Sequence, residues 1–213
     1  MKSNKKLFSA SLASTVVILF LILVSSIASA SIAETRITTH GTASTPAIYG
    51  NTVVWQDGRN VNYEIYALDL SSKKETRITT DGSADNPSIY GNKVVYHSDS
   101  DDNIYIYDLA TKNQNMINSY PGFATGKPVV YGNIIVWEDK RNGRDTDQDW
   151  ARNPGDIYMY DSSTKKETDI GWGSSPSIYG NKIVWFQYDF LSNIQYFTNW
   201  IRKSSIPITI SNI

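Results

Sequence analysis

The chain has 213 residues, 20 lysines and arginines against 21 acids, and no cysteine. A formal charge of −1 argues against nucleic acid as a partner, which needs a basic surface to replace counterions. The absence of cysteine means that an exported domain of this sequence stands without disulfides.

The first thirty residues read as a targeting segment. Lys2, Lys5 and Lys6 form a basic start, Leu7 to Val24 is largely apolar, and Ala28-Ser29-Ala30 supplies the small residues of a signal-peptidase site. The competing reading is an uncleaved anchor, the one route by which this chain would touch a membrane. Both readings place residues 31–213 outside the cytoplasm: extracellular, on the cell surface or in the periplasm. Removing three lysines and no acids moves the formal charge to −4.

Residues 31–213 read as one repeat domain. Tyr-Gly-Asn occurs at Tyr49, Tyr90, Tyr131 and Tyr179, in steps of 41, 41 and 48 residues, each with a proline three positions earlier. An aromatic-capped apolar run follows every triplet: Val54-Trp55, Val95-Tyr96, Val136-Trp137 and Val184-Trp185. Three copies continue into Ile-Tyr-x-x-Asp, from Ile65, Ile104 and Ile157. Short strands at this period predict an all-β β-propeller of about four blades, one four-stranded sheet per repeat.

In chain order, Glu34–Thr39 repeats the fourth-strand sequence Glu75–Thr80 without a blade before it and is expected to be an orphan outer strand. The blades are expected at about 46–79, 87–118, 128–170 and 176–211. In each, proline opens the first strand, where its missing N–H does least harm, and Gly-Asn makes a two-residue hairpin. The third blade carries an insertion from Glu138 to Asp156. In the fourth, Ile194 to Thr198 is expected as the third strand and Ile206 to Ile210 as a weak fourth. The ring closes by pairing both termini in one sheet, or the chain is an incomplete arc of a larger ring, exposed at its edge or paired with a second copy.

These motifs resemble the TolB-like propeller repeats of periplasmic TolB and of archaeal cell-surface proteins. The resemblance covers residues 34 to about 198 and rests on Ile-Thr, the proline-led strand, Tyr-Gly-Asn, Val-Trp and Ile-Tyr-x-x-Asp. It implies a ring of six or more blades, whereas about four are present here. It says little about function, since such blades serve protein docking, sugar binding and, with added domains, peptidases.

Candidate sites fall on the face carrying the second-to-third-strand loops and the blade-to-blade connections. The opposite face repeats Gly-Asn turns and Ser/Lys turns, while this one varies in length and charge. Asp57, Arg59, Asp99, Asp101, Asp102, Asp139, Arg141, Trp150 and Trp172 are its candidates. Asp57-Gly-Arg59 and Asp139-Lys-Arg141 also read as local salt bridges closing a hairpin, worth little at an exposed site. Tyr120 and Phe123 add aromatics to a connection, where they stack on a ligand or pack between blades. Asp145, Asp147, Asp149 and Asp156 follow part of a twelve-residue calcium-loop pattern, although Trp150 replaces its glycine and Asp156 its glutamate. Calcium is the one cofactor suggested, against a solvated polar loop with no cofactor.

Catalysis finds little support. His40 and His97 sit at different points of the repeat, so neither a paired ligand set nor a triad is implied, and no Gly-x-Ser-x-Gly elbow occurs. The expected function is a non-catalytic secreted or surface scaffold that binds protein or polysaccharide. The alternatives are a calcium-stabilised structural module of the cell envelope and, further off, a glycan-processing enzyme using loop carboxylates.

Overall fold

A computed structural model of the chain describes residues 34–142, 155–186 and the strand Arg202–Lys203. The chain divides into two units, Met1–Ile37 and Thr38–Ile213, and every sheet belongs to the second. Residues 1–30, expected from sequence to be a targeting segment, lie outside the described residues.

The first blade is β1 (Ala43–Tyr49), β2 (Thr52–Asn60), β3 (Asn62–Asp69) and β4 (Glu75–Arg77), antiparallel and in sequence order. The second is β5 (Ala84–Tyr90), β6 (Lys93–Ser98), β7 (Asn103–Asp108) and β8 (Gln114–Met116). The third is β9 (Ala124–Tyr131), β10 (Ile134–Asp139), β11 (Asp156–Asp161) and β12 (Lys166–Trp172). The fourth sheet is β13 (Ser174–Tyr179), β14 (Lys182–Phe186) and β15 (Arg202–Lys203). This is the propeller pattern expected from the repeat.

Three details differ from the sequence reading. Glu34–Thr39 forms no strand, whereas the same sequence from Glu75 opens with β4, which pairs with β3. Each first strand begins before its proline, with a register shift between Ser44 and Ala47 in β1 and between Asp85 and Ser88 in β5. Thr45, Asn86 and Ser175, directly before Pro46, Pro87 and Pro176, take φ of 46°, 49° and 53°. Proline thus sits at a bulge, where no ladder N–H is required. In the fourth sheet the strand paired with β14 is Arg202–Lys203. Ile194 to Thr198 and Ile206 to Ile210 lie outside the described residues.

The recurring motifs each have a local cause. Gly50, Gly91, Gly132 and Gly180 take φ of 53° to 61°, and the asparagine after each does not, the pattern of a glycine-led type II′ hairpin turn. The asparagine carbonyl then catches the neighbouring turn: Leu70 N–H donates to Asn51 O at 2.7 Å and Leu109 N–H to Asn92 O at 2.8 Å. The aspartate of Ile-Tyr-x-x-Asp caps that turn. Asp69 Oδ1 accepts from Ser71 N and Ser72 N, and Asp108 Oδ1 from Ala110 N and Thr111 N.

The core is divided between the blades. Val54, Ile65 and Ala67 pack on Val94 and Tyr96 of the next sheet; Val95 and Ile104 pack on Ile135, Trp137 and Tyr158; Val136, Ile157 and Met159 pack on Ile183 and Trp185. Sheets covered on both faces explain strands that are apolar on both sides. The triplet tyrosines form a ladder along the innermost strands. Ring centroids are 4.5 Å apart for Tyr49–Tyr90, 4.8 Å for Tyr90–Tyr131 and 5.2 Å for Tyr131–Tyr179.

Candidate functional site

On the loop face, blades one and three share an internal clamp. Asp57 Oδ2 accepts from Trp55 Nε1 at 3.1 Å and from Arg59 Nε and Nη2 at 2.9 and 2.6 Å. Its Oδ1 accepts from Arg59 N and Thr42 Oγ1. The guanidinium lies 4.0 Å over the Tyr66 ring and reaches Glu75 with Nη1. In blade three, Asp139 accepts from Trp137 Nε1 and from Arg141, here with Nε on Oδ1 and Nη2 on Oδ2; Arg141 sits 3.9 Å over Tyr158, and its Nη1 bonds Glu167.

These pairs are not the weak exposed bridges expected. The Asp57 and Asp139 side chains are fully buried and their arginines 12% and 9% exposed. Burial opposes ionisation of Asp57, but the hydrogen bonds from Arg59, Thr42 and Trp55 hold its carboxyl well below the usual carboxylate range. Asp57, Arg59, Asp139 and Arg141 are engaged within the fold and shape the face from beneath.

Blade two departs from this plan. Ser83, Ser98 and Ser100 stand where Thr42, Asp57 and Arg59 stand in blade one, and their hydroxyls lie 3.0 to 3.2 Å from one another. Tyr96 replaces the tryptophan, and its buried hydroxyl has no hydrogen-bond partner. Burial, the leading cause, pushes that phenol far up.

The change opens the corner to a second group of residues. His97, with its side chain 7% exposed, places Nδ1 3.1 Å from Asp85 Oδ1 and 3.3 Å from Asp99 Oδ1. Its Nε2 lies 3.1 Å from the Ala124 carbonyl on β9 and 3.7 Å from Asp102 Oδ1. Burial alone would lower the imidazole pKa; the hydrogen bond and charge of Asp85, with the charge of Asp99, turn the net shift upward. Asp99 is raised by its own burial and then by Asp85. Asp101 accepts from Tyr105 Oη at 2.7 Å, and that bond heads the causes pushing the Tyr105 phenol up to about 12.

Of the predicted site residues, the structure therefore gathers Asp99, Asp101 and Asp102 at one turn and adds His97 and Asp85, which sequence reasoning passed over. The connection 119–124 packs on that turn: Gly122 N donates to Asn103 Oδ1 and Ala124 N to the Asp102 carbonyl. It carries Tyr120 and Phe123, 54% and 40% exposed, with ring centroids 5.4 Å apart. Trp172 lies apart, half-buried at the end of β12, where its carbonyl accepts from Trp185 Nε1 at 3.0 Å.

Trp150 and the calcium candidates Asp145, Asp147 and Asp149 lie outside the described residues. Asp156 is 2% exposed at the start of β11, and its Oδ2 accepts from Asn142 Nδ2 at 2.7 Å. A groove of 480 Å³ lies on the opposite face, between blades one and two, lined by Asp69, Lys74, Asn92, Tyr107, Leu109 and Lys112 among others.

No protein-family model matches the chain, and no curated protein does. Solved structures do. TolB from Acinetobacter baumannii aligns with a TM-score of 0.56 at 18% identity, covering 71% of this chain and 39% of that one. Oligogalacturonate lyase from Vibrio parahaemolyticus gives 0.55 at 15% identity, covering 75% and 50%. An oligogalacturonate lyase in complex with manganese gives 0.50 at 19% identity, covering 64% and 42%. The fold is a TolB-like β-propeller, and the chain aligns with half or less of the length of each of these structures.

Proposed function

We propose that this chain is an exported, non-catalytic propeller scaffold that binds protein or envelope polysaccharide through the loop face of its second blade. One observation carries the reading. Where blades one and three fill the corner with a buried Asp–Arg clamp, blade two presents exposed acids beside the half-exposed rings of Tyr120 and Phe123. Flat rings next to fixed acceptors suit a sugar or an aromatic-rich peptide, and loops held on a rigid sheet keep that geometry without induced order.

The test is binding of the purified protein to arrayed glycans and to envelope extracts, with a Tyr120→Ala/Phe123→Ala variant beside it. The expected result is retention of a ligand by the parent and loss by the variant at unchanged melting temperature. Equal retention by both moves the site elsewhere. Turnover of oligogalacturonate or of peptide substrates replaces the scaffold with an enzyme.

A further inference from the structure

We propose that Asp85, His97 and Asp99 form a site for a first-row divalent transition-metal ion, zinc being the fitting probe. Nε2 of His97 lies 3.1 Å from the Ala124 carbonyl, which can only accept, so Nε2 carries a hydrogen. In that tautomer Nδ1 presents a lone pair. Both groups facing it are carboxylate oxygens, Asp85 Oδ1 at 3.1 Å and Asp99 Oδ1 at 3.3 Å. With the imidazole neutral, three acceptor atoms converge at this corner, a position that either a second ring proton or a metal ion can fill.

The spacing suits a metal ion. Tetrahedral bonds of about 2.0–2.1 Å put ligand atoms about 3.3 Å apart, and all three ligand atoms lie within 4.8 Å of one another. The surroundings supply the outer bonds that such ligands use. Nε2 is fixed by Ala124 O, the second oxygen of Asp85 accepts from Asn86 Nδ2 at 2.8 Å, and Asp99 is anchored by its N–H on the Ser83 carbonyl at 2.8 Å. Asp99 is 62% exposed, which leaves an open side for water or a ligand oxygen. One imidazole and two carboxylates are too few and too nitrogenous for calcium, which takes six to eight oxygens. This site is therefore distinct from the calcium pattern around Asp145.

Isothermal titration of chelator-stripped protein with Zn²⁺ tests the assignment. Saturation at one equivalent is expected, with affinity at least tenfold weaker in Asp99→Asn, whose exposed side chain leaves folding intact, and in His97→Gln. Co²⁺ in the same site should give visible d–d bands that Zn²⁺ displaces. The ¹⁵N resonance of His97 Nδ1 should move on zinc addition. Absence of saturable binding by the folded parent would overturn the proposal. So would unchanged affinity in Asp99→Asn, or an Nδ1 resonance indifferent to zinc, which would mean that a proton alone fills the position.

Discussion

Arg59 turns back along its own strand to grip Asp57, two residues before it, with Nε and Nη2 both on Oδ2 at 2.9 and 2.6 Å. The carboxylate is fully buried, so the guanidinium, together with Trp55 Nε1 and Thr42 Oγ1, replaces water around the charge. Replacing Arg59 by Ala leaves that charge stranded. The expected cost is about 3–5 kcal/mol by denaturant unfolding. Asp57→Asn in the same background should recover part of it, because the stranded group is then neutral.

The same pair sets an acid limit. The folded pKa of Asp57 lies below its ordinary value, so the folded state holds this proton less tightly than the unfolded chain. Its contribution is present above about pH 4, the unfolded carboxylate range, and is lost as pH falls toward the folded pKa. Melting temperatures measured between about pH 6 and pH 2.5 should fall more steeply in the parent than in Asp57→Asn. Parallel curves would show that other groups set the acid limit.

Tyr96 offers a substitution of the opposite sign. Its hydroxyl is buried with no partner, because Ser98 occupies the place from which Asp57 and Asp139 receive a tryptophan N–H. Tyr96→Phe removes an unmet hydroxyl and keeps the ring that stacks on Tyr105 at 5.6 Å. Stability should hold or rise by up to about 1–2 kcal/mol, read as a higher denaturant midpoint at unchanged slope. A loss would reveal an internal water on the hydroxyl.

Val95 tests the division of the core between blades. It is fully buried among Ile104, Ile117, Ala124 and Ile135, against the third sheet. Val95→Asp should cost several kcal/mol, about the penalty for an unpaired buried charge. Calorimetry showing the parent's melting temperature would place Val95 outside the core.

Much of the fold was legible because its signals are local. Gly-Asn fixes a hairpin wherever it falls, and Val94-Val95-Tyr96 needs cover on both faces in any sheet. The bulges were not legible. Counting back from the Gly91–Asn92 turn in a regular ladder puts Asn86 opposite His97, but the shift between Asp85 and Ser88 brings Asp85 there instead. That one-residue slip hid the Asp85–His97–Asp99 group. The outer strand at Glu34 failed for a different reason: its sequence equals that of Glu75–Thr80, and β4 is a strand through its pairing with β3, a tertiary property that sequence does not carry. The burial of Asp57 was equally hidden, since Asp-x-Arg reads the same at a surface turn.

The tyrosine ladder gives the molecule an optical signature of its own assembly. Four phenol rings at 4.5 to 5.2 Å, mutually tilted by 43° to 59°, make a chiral array of coupled chromophores with one ring from each blade. Near-ultraviolet circular dichroism therefore reports blade order directly. Detachment of the fourth blade shortens the array from four rings to three, while separation between the second and third breaks it in the middle into two pairs. Partial and complete opening thus carry different spectra, and a chain with no bound reporter discloses which of its blades has come away.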